Sequence, residues 1–164
     1  MGAEYRICSH RVLFIFGGAE RELRRRGLLL HTVGHGWTRE VLGYETTAWE
    51  KAWPLAEEKR PFAAMVNGRR ELYLDIPADT NLCLSNPDTA KHFEDLVVEY
   101  AENHPDVDYL HIWLADEYNN VCECAQCRRT TLSDQYVALL NEIDRRLTAE
   151  RLDTRLVFLL YQEL

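Results

Sequence analysis

From residue 85 onward the apolar residues alternate between a helical spacing and unbroken short runs, and that alternation admits very few architectures. Ser85-Asn86-Pro87 supplies a polar cap and a proline for the first turn, which is a helix start. Phe93, Leu96, Val97 and Tyr100 then recur at i, i+3, i+4 and i+7. A helix over 88–103 therefore turns one stripe to a core, while Lys91, Glu94, Asp95, Glu99 and Glu102 mostly meet water. His104-Pro105 ends it. Tyr109-Leu110-His111-Ile112-Trp113-Leu114 is aromatic-rich and of strand length. Thr131 or Ser133 caps a second helix, striped by Tyr136, Leu139, Leu140, Ile143 and Leu147 and ending near Glu150. Residues 155–161 are nearly all apolar, as expected of a strand covered on both faces in a parallel sheet.

The first half repeats the pattern less clearly. A helix over 20–26 leads into a strand at 28–33, and a short strand is expected at 81–84. Arg24-Arg25-Arg26 then sits at a helix C-terminus, where cations suit the dipole. Phe16-Gly17-Gly18 resembles a glycine turn into that helix, but no Gly-Lys-Ser and no third spaced glycine follow, so phosphate binding is not expected. Residues 34–78 form a long irregular connection with a turn signal at Val66-Asn67-Gly68-Arg69, and connections of that length are often functional. Trp49 and Trp53, four apart, fit packing along a helix.

Strand–helix alternation with short apolar strands implies a parallel α/β sheet, as a barrel or an open doubly wound sheet. An eight-unit barrel needs roughly 200–250 residues. The 164 residues therefore fit a single partial TIM-type (β/α) barrel over 1–164, about half of the eight units, with 34–78 as a rim insertion. A buried-looking last strand with no covering helix reads as a fragment, the remainder of the barrel coming from a longer protein.

Charge limits the partners. Nineteen Lys and Arg against 27 Asp and Glu give a net −8, which offers no general attraction to nucleic acid or an anionic membrane. No apolar run approaches the ~18 residues of a membrane span. Residues 1–11 mix both charge signs without an apolar core, so no secretory signal is expected and the chain reads as cytoplasmic.

In parallel α/β folds chemistry gathers at the carboxyl ends of strands. His35, Trp37 and Arg39 follow one expected strand, Cys83, Ser85 and Asn86 the next, Asp116, Glu117, Asn119 and Asn120 the third, and Gln162 and Glu163 the last. A glycosidic bond is cleaved by one carboxylic acid that protonates the leaving oxygen and a second carboxylate across the bond. Adjacent residues of an extended chain face opposite ways, so only one of the pair aims into the mouth; Glu117 is assigned the acid, Asp116 the role of orienting neighbours, and the partner is Glu163 or a carboxylate beyond Leu164. The plain alternative is that these acids are simply solvated. His35 and Trp37, flanked by glycines, suit a sugar ring, with Asn86 and Asn119 as further hydroxyl partners; equally, they suit a packed turn.

The sharpest local pattern is Cys122-Glu123-Cys124-Ala125-Gln126-Cys127. Cys124 and Cys127 have the spacing of a zinc knuckle, Cys122 adds a third thiolate, and Cys83 from a neighbouring strand end completes a tetrahedral set. Four thiolates fill the shell, so such a Zn2+ would be structural and would not activate water. A disulfide from Cys83 to one of the three, or plain reduced thiols, are the other readings, and Cys8 looks unrelated.

Taken in order, Gly27-Leu28-Leu29, Gly34-His35-Gly36-Trp37, Asn81-Leu82-Cys83-Leu84-Ser85-Asn86-Pro87, the cysteine run, Ser133-Asp134-Gln135-Tyr136 and Leu160-Tyr161 resemble the bacterial domain-of-unknown-function family 4838, over roughly residues 24–164. Its members look like glycoside hydrolase barrels similar to α-glucuronidases and N-acetylhexosaminidases. The resemblance implies carbohydrate hydrolysis, with the acid after the fourth barrel strand at Asp116-Glu117. The competing expectations are a non-catalytic carbohydrate-binding module and a zinc-braced interaction module.

Overall fold

The computed structural model describes residues 4–6, 19–45, 49–160 and 164. Cys8, the Gly17-Gly18 turn, Gln162 and the expected partner carboxylate Glu163 lie outside the described residues.

In chain order the elements are β1 (Glu4–Arg6), α1 (Ala19–Arg25), β2 (Leu29–Gly34), α2 (Trp37–Val41), β3 (Met65–Val66), β4 (Arg69–Arg70), α3 (Pro87–Asn103), β5 (Tyr109–Ile112), α4 (Leu132–Ala149) and β6 (Arg155–Val157). The main sheet is wholly parallel, in the order β1-β2-β5-β6. His31 stands opposite Tyr109, which stands opposite Arg155. With a side-chain period of two, that register sends Leu30, Leu110 and Ile112 to the helices and leaves His31, Tyr109 and His111 on the other face. There His31 Nδ1 lies 3.1 Å from His111 Nε2, and His31 stacks on Tyr109 at 4.4 Å.

The long helices form where their sequence asks for them. Asn86 caps α3 by accepting from the Asp88 N–H, with Pro87 in the first turn, and Phe93 and Val97 of its stripe are fully buried. Thr131 and Asp134 close a reciprocal capping box on α4, which buries Tyr136, Leu139, Leu140, Ile143 and Leu147. The Tyr136 hydroxyl reaches the Ile112 carbonyl of β5, and Arg146 joins the helices through Asp95 at 2.8 Å. Sheet, α2, α3 and α4 share one apolar core.

Four expectations are corrected. Residues 81–84 do not join the sheet: β2 pairs directly with β5, and Leu82 makes only an antiparallel bridge to Ala63. The insertion over 34–78 is partly ordered, containing α2, 3-10 turns and a β3–β4 hairpin whose Asn67 (φ 50) and Gly68 (φ 75) take the left-handed geometry of a tight turn. Trp49 and Trp53 lie on no helix and are 46% and 72% exposed, because Pro54 disfavours a helical conformation at Trp53. The last strand stops at Val157, and Phe158 and Leu160 are 44% and 64% exposed, so the run is not covered on both faces. Among the described residues no helix is long and apolar enough to cross a membrane.

Candidate metal centre and carboxylate rim

The cysteine loop folds back beneath the β3–β4 hairpin and onto the turn before α3, forming a small core of Ala64, Cys83, Cys122 and Cys127 apart from the main one. All four sulfurs of Cys83, Cys122, Cys124 and Cys127 lie within 4.8 Å of one another. Cys83 Sγ stands 3.8 Å from Cys124 Sγ and 3.9 Å from Cys127 Sγ. A disulfide requires about 2.05 Å, so these four are free thiols and the alternative, a bridge from Cys83, is not formed. Four thiolates at about 2.3 Å around one ion would be separated by edges of about 3.8 Å. The cluster can hold a metal ion.

Its surroundings are those of anionic sulfur. The Met65 N–H donates to Cys122 Sγ at 3.2 Å, the Cys127 N–H to Cys124 Sγ at 3.4 Å, and Arg70 Nη2 to Cys83 Sγ at 3.4 Å. Ser85 Oγ sits 3.5 Å from both Cys83 and Cys124 Sγ and 3.1 Å from Cys127 Sγ. Hydrogen bonding from the Cys122 thiol, helped against burial by Ser85 and Arg70, pulls the Cys83 pKa down to about 4. The same contact and burial push Cys122 up. Burial also opposes ionisation of Cys124, but the Cys127 N–H, Ser85 and the Gln126 N–H outweigh it and bring that thiol to about 7. Cys83 is thus a thiolate at neutral pH and Cys124 gives up its proton easily, which favours cation binding.

The second cluster forms past the carboxyl ends of β2 and β5. His35 Nδ1 meets the Leu114 carbonyl at 3.1 Å and its Nε2 lies 3.7 Å from Asp116 Oδ2. Its ring is edge-on to Trp113 at 4.8 Å and to Trp49 at 5.6 Å. Burial lowers the His35 pKa, against the pull of Asp116 and the Leu114 carbonyl. Gly34 makes room for this stack: a Cβ there would sit 2.9 Å from Trp113 Cε3.

Asp79, in a 3-10 turn over Pro77–Asp79 and 5% exposed, joins this cluster. Burial raises its pKa, the Glu117 and Asp116 carboxylates add to the rise, and a hydrogen bond from the Trp49 side chain opposes it. Asp79, Asp116 and Glu117 thus converge with His35 and Trp49. Asp79 was missed because a lone acid after Pro77 in a long connection carries no periodic or motif signal.

The other expected ligand contacts fall elsewhere. Trp37 is 2% exposed, packs against Phe93 and Tyr100, and donates its indole N–H to the His111 carbonyl at 2.9 Å, so it offers a sugar no open face. Asn86 is spent on the fold, capping α3 and donating to the Pro61 carbonyl at 3.1 Å. Asn119 takes a left-handed φ of 58 in the loop after β5. No family model, curated protein or solved structure matches the chain.

Proposed function

We propose that the chain is a glycoside-hydrolase-like (β/α) domain that binds carbohydrate at the carboxyl ends of its strands, with the four cysteines holding a structural zinc ion. The observation that carries the reading is the convergence of three carboxyl groups, Asp79, Asp116 and Glu117, with the His35 imidazole and the half-exposed Trp49 indole. Support for a barrel-type winding comes from strands that follow one another in sheet order as they do in sequence, with the helices sharing one core.

Glycosidic cleavage asks for one carboxyl that keeps its proton and a second that acts as base or nucleophile. Asp79, buried and with its pKa raised above the ordinary aspartate value by burial and by the Glu117 and Asp116 carboxylates, is the candidate for the acid. Glu117 and Asp116 are the candidates for the second role. His35, neutral by burial, hydrogen-bonds and orients, and Trp49 offers an apolar face to a sugar ring. The zinc, held by Cys83, Cys122, Cys124 and Cys127, takes no part in bond cleavage, because four thiolates leave no open position. It ties the turn before α3 to the loop that follows Glu117.

The test is a glycan panel presented to the intact chain, reading released reducing ends and Trp49 fluorescence together. Hydrolysis lost in Asp79→Asn or Glu117→Gln with binding retained is the expected result. Binding without release would favour the non-catalytic module, and fluorescence unmoved by every glycan would refute carbohydrate recognition at this rim.

A further inference from the structure

Between the β3–β4 hairpin and the segment 71–81 lies a second concavity, of about 370 Å³, lined by Arg69, Leu72, Tyr73, Leu74, Asn81 and Asn120 among others. Its polar wall is a pair of amides. Asn81 and Asn120 are 4% and 1% exposed, and Asn81 Nδ2 donates to Asn120 Oδ1 at 2.9 Å. Asn81 Oδ1 accepts from the Ala115 N–H at 3.3 Å, and Asn120 Nδ2 donates to the Asp79 carbonyl at 2.8 Å. The amide pair is therefore anchored to the backbone of the carboxylate rim while it lines the concavity. These bonds use one hydrogen of each amide nitrogen, and each nitrogen carries two.

The lining also contains the apolar Leu72, Tyr73 and Leu74, on a segment held under strain. Leu74 and Asp75 are consecutive left-handed residues, with φ of 53 and 64, a conformation that costs a non-glycine residue of order 1 kcal/mol or more. It is fixed by the Ile76 N–H to the Tyr73 carbonyl and the Ala52 N–H to the Asp75 carbonyl, both 2.9 Å. Leu74, 57% exposed, stands in the lining beside Tyr73 and Leu72. The Arg69 and Glu71 charges lie 3.7 Å apart and offset one another. With Asp79 bonded through its carbonyl to the amide wall and a net −8 on the chain, an anion is disfavoured, and the one lining carboxylate is already paired.

We propose that this concavity is a subsite for a neutral, hydroxyl-rich ring, a pyranose whose hydroxyls meet the Asn81–Asn120 amides and whose C–H face meets Tyr73, Leu72 and Leu74. The volume, near the lower end of the usual 300–1,000 Å³ for ligand sites, matches a short saccharide. This assignment rests on the carbohydrate reading and adds a second sugar position beside the carboxylate rim. The hairpin wall hangs on the cysteine cluster through the Met65 N–H to Cys122 Sγ (3.2 Å), the Glu123 N–H to the Met65 carbonyl (2.7 Å) and Arg70 to Cys83 Sγ (3.4 Å). Binding here accordingly depends on a filled metal site.

The test is titration of the whole 15N-labelled, metal-loaded chain with methyl β-xylopyranoside, methyl β-glucopyranoside and methyl N-acetyl-β-glucosaminide. The readouts are the Asn81 and Asn120 side-chain amides and, separately, the Trp49 indole. The expected result is saturable movement of both amides by at least one glycoside, with a Kd on the order of 1 mM. Tyr73→Ala weakens it about tenfold, Tyr73→Phe leaves it within about twofold, and chelation weakens it. Movement of Trp49 with the amides unmoved overturns the subsite and leaves the rim reading standing. Amides unmoved by all three glycosides, or equal affinity in Tyr73→Ala, also overturn the subsite, whatever the glycan panel shows for the rim.

Discussion

Stripping the metal from the cysteine cluster should cost the domain a definable amount of stability. A four-thiolate ion would join Cys83 to Cys124 across 41 residues of chain, a segment that includes all of α3 and β5. Treated as a cross-link, closing a loop of that length removes about 13 cal/mol/K from the unfolded chain, or about 4 kcal/mol at 25 °C. Cys122 and Cys127 flank Cys124 and add only short closures, so that figure is the main effect. For a domain of this size each kcal/mol moves Tm by about 2–4 °C, which gives a fall of about 8–16 °C on chelation. The domain should not unfold outright, because among the described residues the main core around Phe93, Leu110, Ile112 and Tyr136 includes no cysteine. The assay is calorimetry of the metal-loaded chain with and without chelator, beside metal content and thiol counts. Cys83→Ser should show the lower Tm from the outset and respond little to chelator, since its long loop is already open. The reasoning is refuted if the purified chain carries no metal and binds none, or if chelation of a loaded chain moves Tm by less than about 2 °C.

Other substitutions probe the rest of the structure. Trp37→Ala should cost about 3–5 kcal/mol in urea unfolding, through a cavity beside Phe93 and Tyr100 and the loss of the indole hydrogen bond to the His111 carbonyl; a cost below about 1 kcal/mol would return Trp37 to the role of ligand contact. Gly34→Ala should destabilise by about 1–3 kcal/mol and shift Trp113 and His35, because its Cβ would meet Trp113 at 2.9 Å; unchanged Trp113 indole resonances would contradict this. Acidification tests His35: its folded pKa lies below 6.5, so the unfolded chain binds the proton first and stability falls as pH drops below about 6.5. His35→Gln should flatten that limb of a Tm-against-pH curve. Asp79 has the opposite sign, its folded pKa lying above 3.8, so its contribution is present below pH 3.8 and lost as pH rises through the folded value. Asp79→Asn should then raise Tm at neutral pH relative to the parent, and an unchanged or lower Tm would remove the burial argument.

What could be read from the residues was whatever depends on near neighbours in the chain. The α3 cap at Asn86, the Thr131–Asp134 box and the stripes through Phe93 and Tyr136 all act within a few residues, and the elements form where those signals stand. Cys122, Cys124 and Cys127 were legible for a similar reason, since Cys-x-Cys-x-x-Cys spacing crowds three sulfurs before any tertiary contact is made, whereas Cys83, 41 residues from Cys124, is brought to them by the fold. The segment 81–84 was misassigned because a short apolar run fits a sheet strand as well as a single bridge under a hairpin; its neighbours decide between the two. Burial misled in both directions. Trp37 lies among ligand-like residues yet is sealed by α3, and Trp49 looks like a core residue yet is half exposed on the rim.

The sequence by itself determined the parallel α/β class, the two long helices with their ends, and the run of three thiols at Cys122, Cys124 and Cys127. The tertiary structure alone decided that Asp79 gathers with Asp116 and Glu117 beside Trp49, and that Asn81 pairs with Asn120 beneath the hairpin. These contacts join residues some 40 positions apart, 37 between Asp79 and Asp116 if counted along the chain and 39 between the two amides. Their energies depend on burial and on the register of β2 against β5, quantities that exist only once the strands have paired and the core has closed over them.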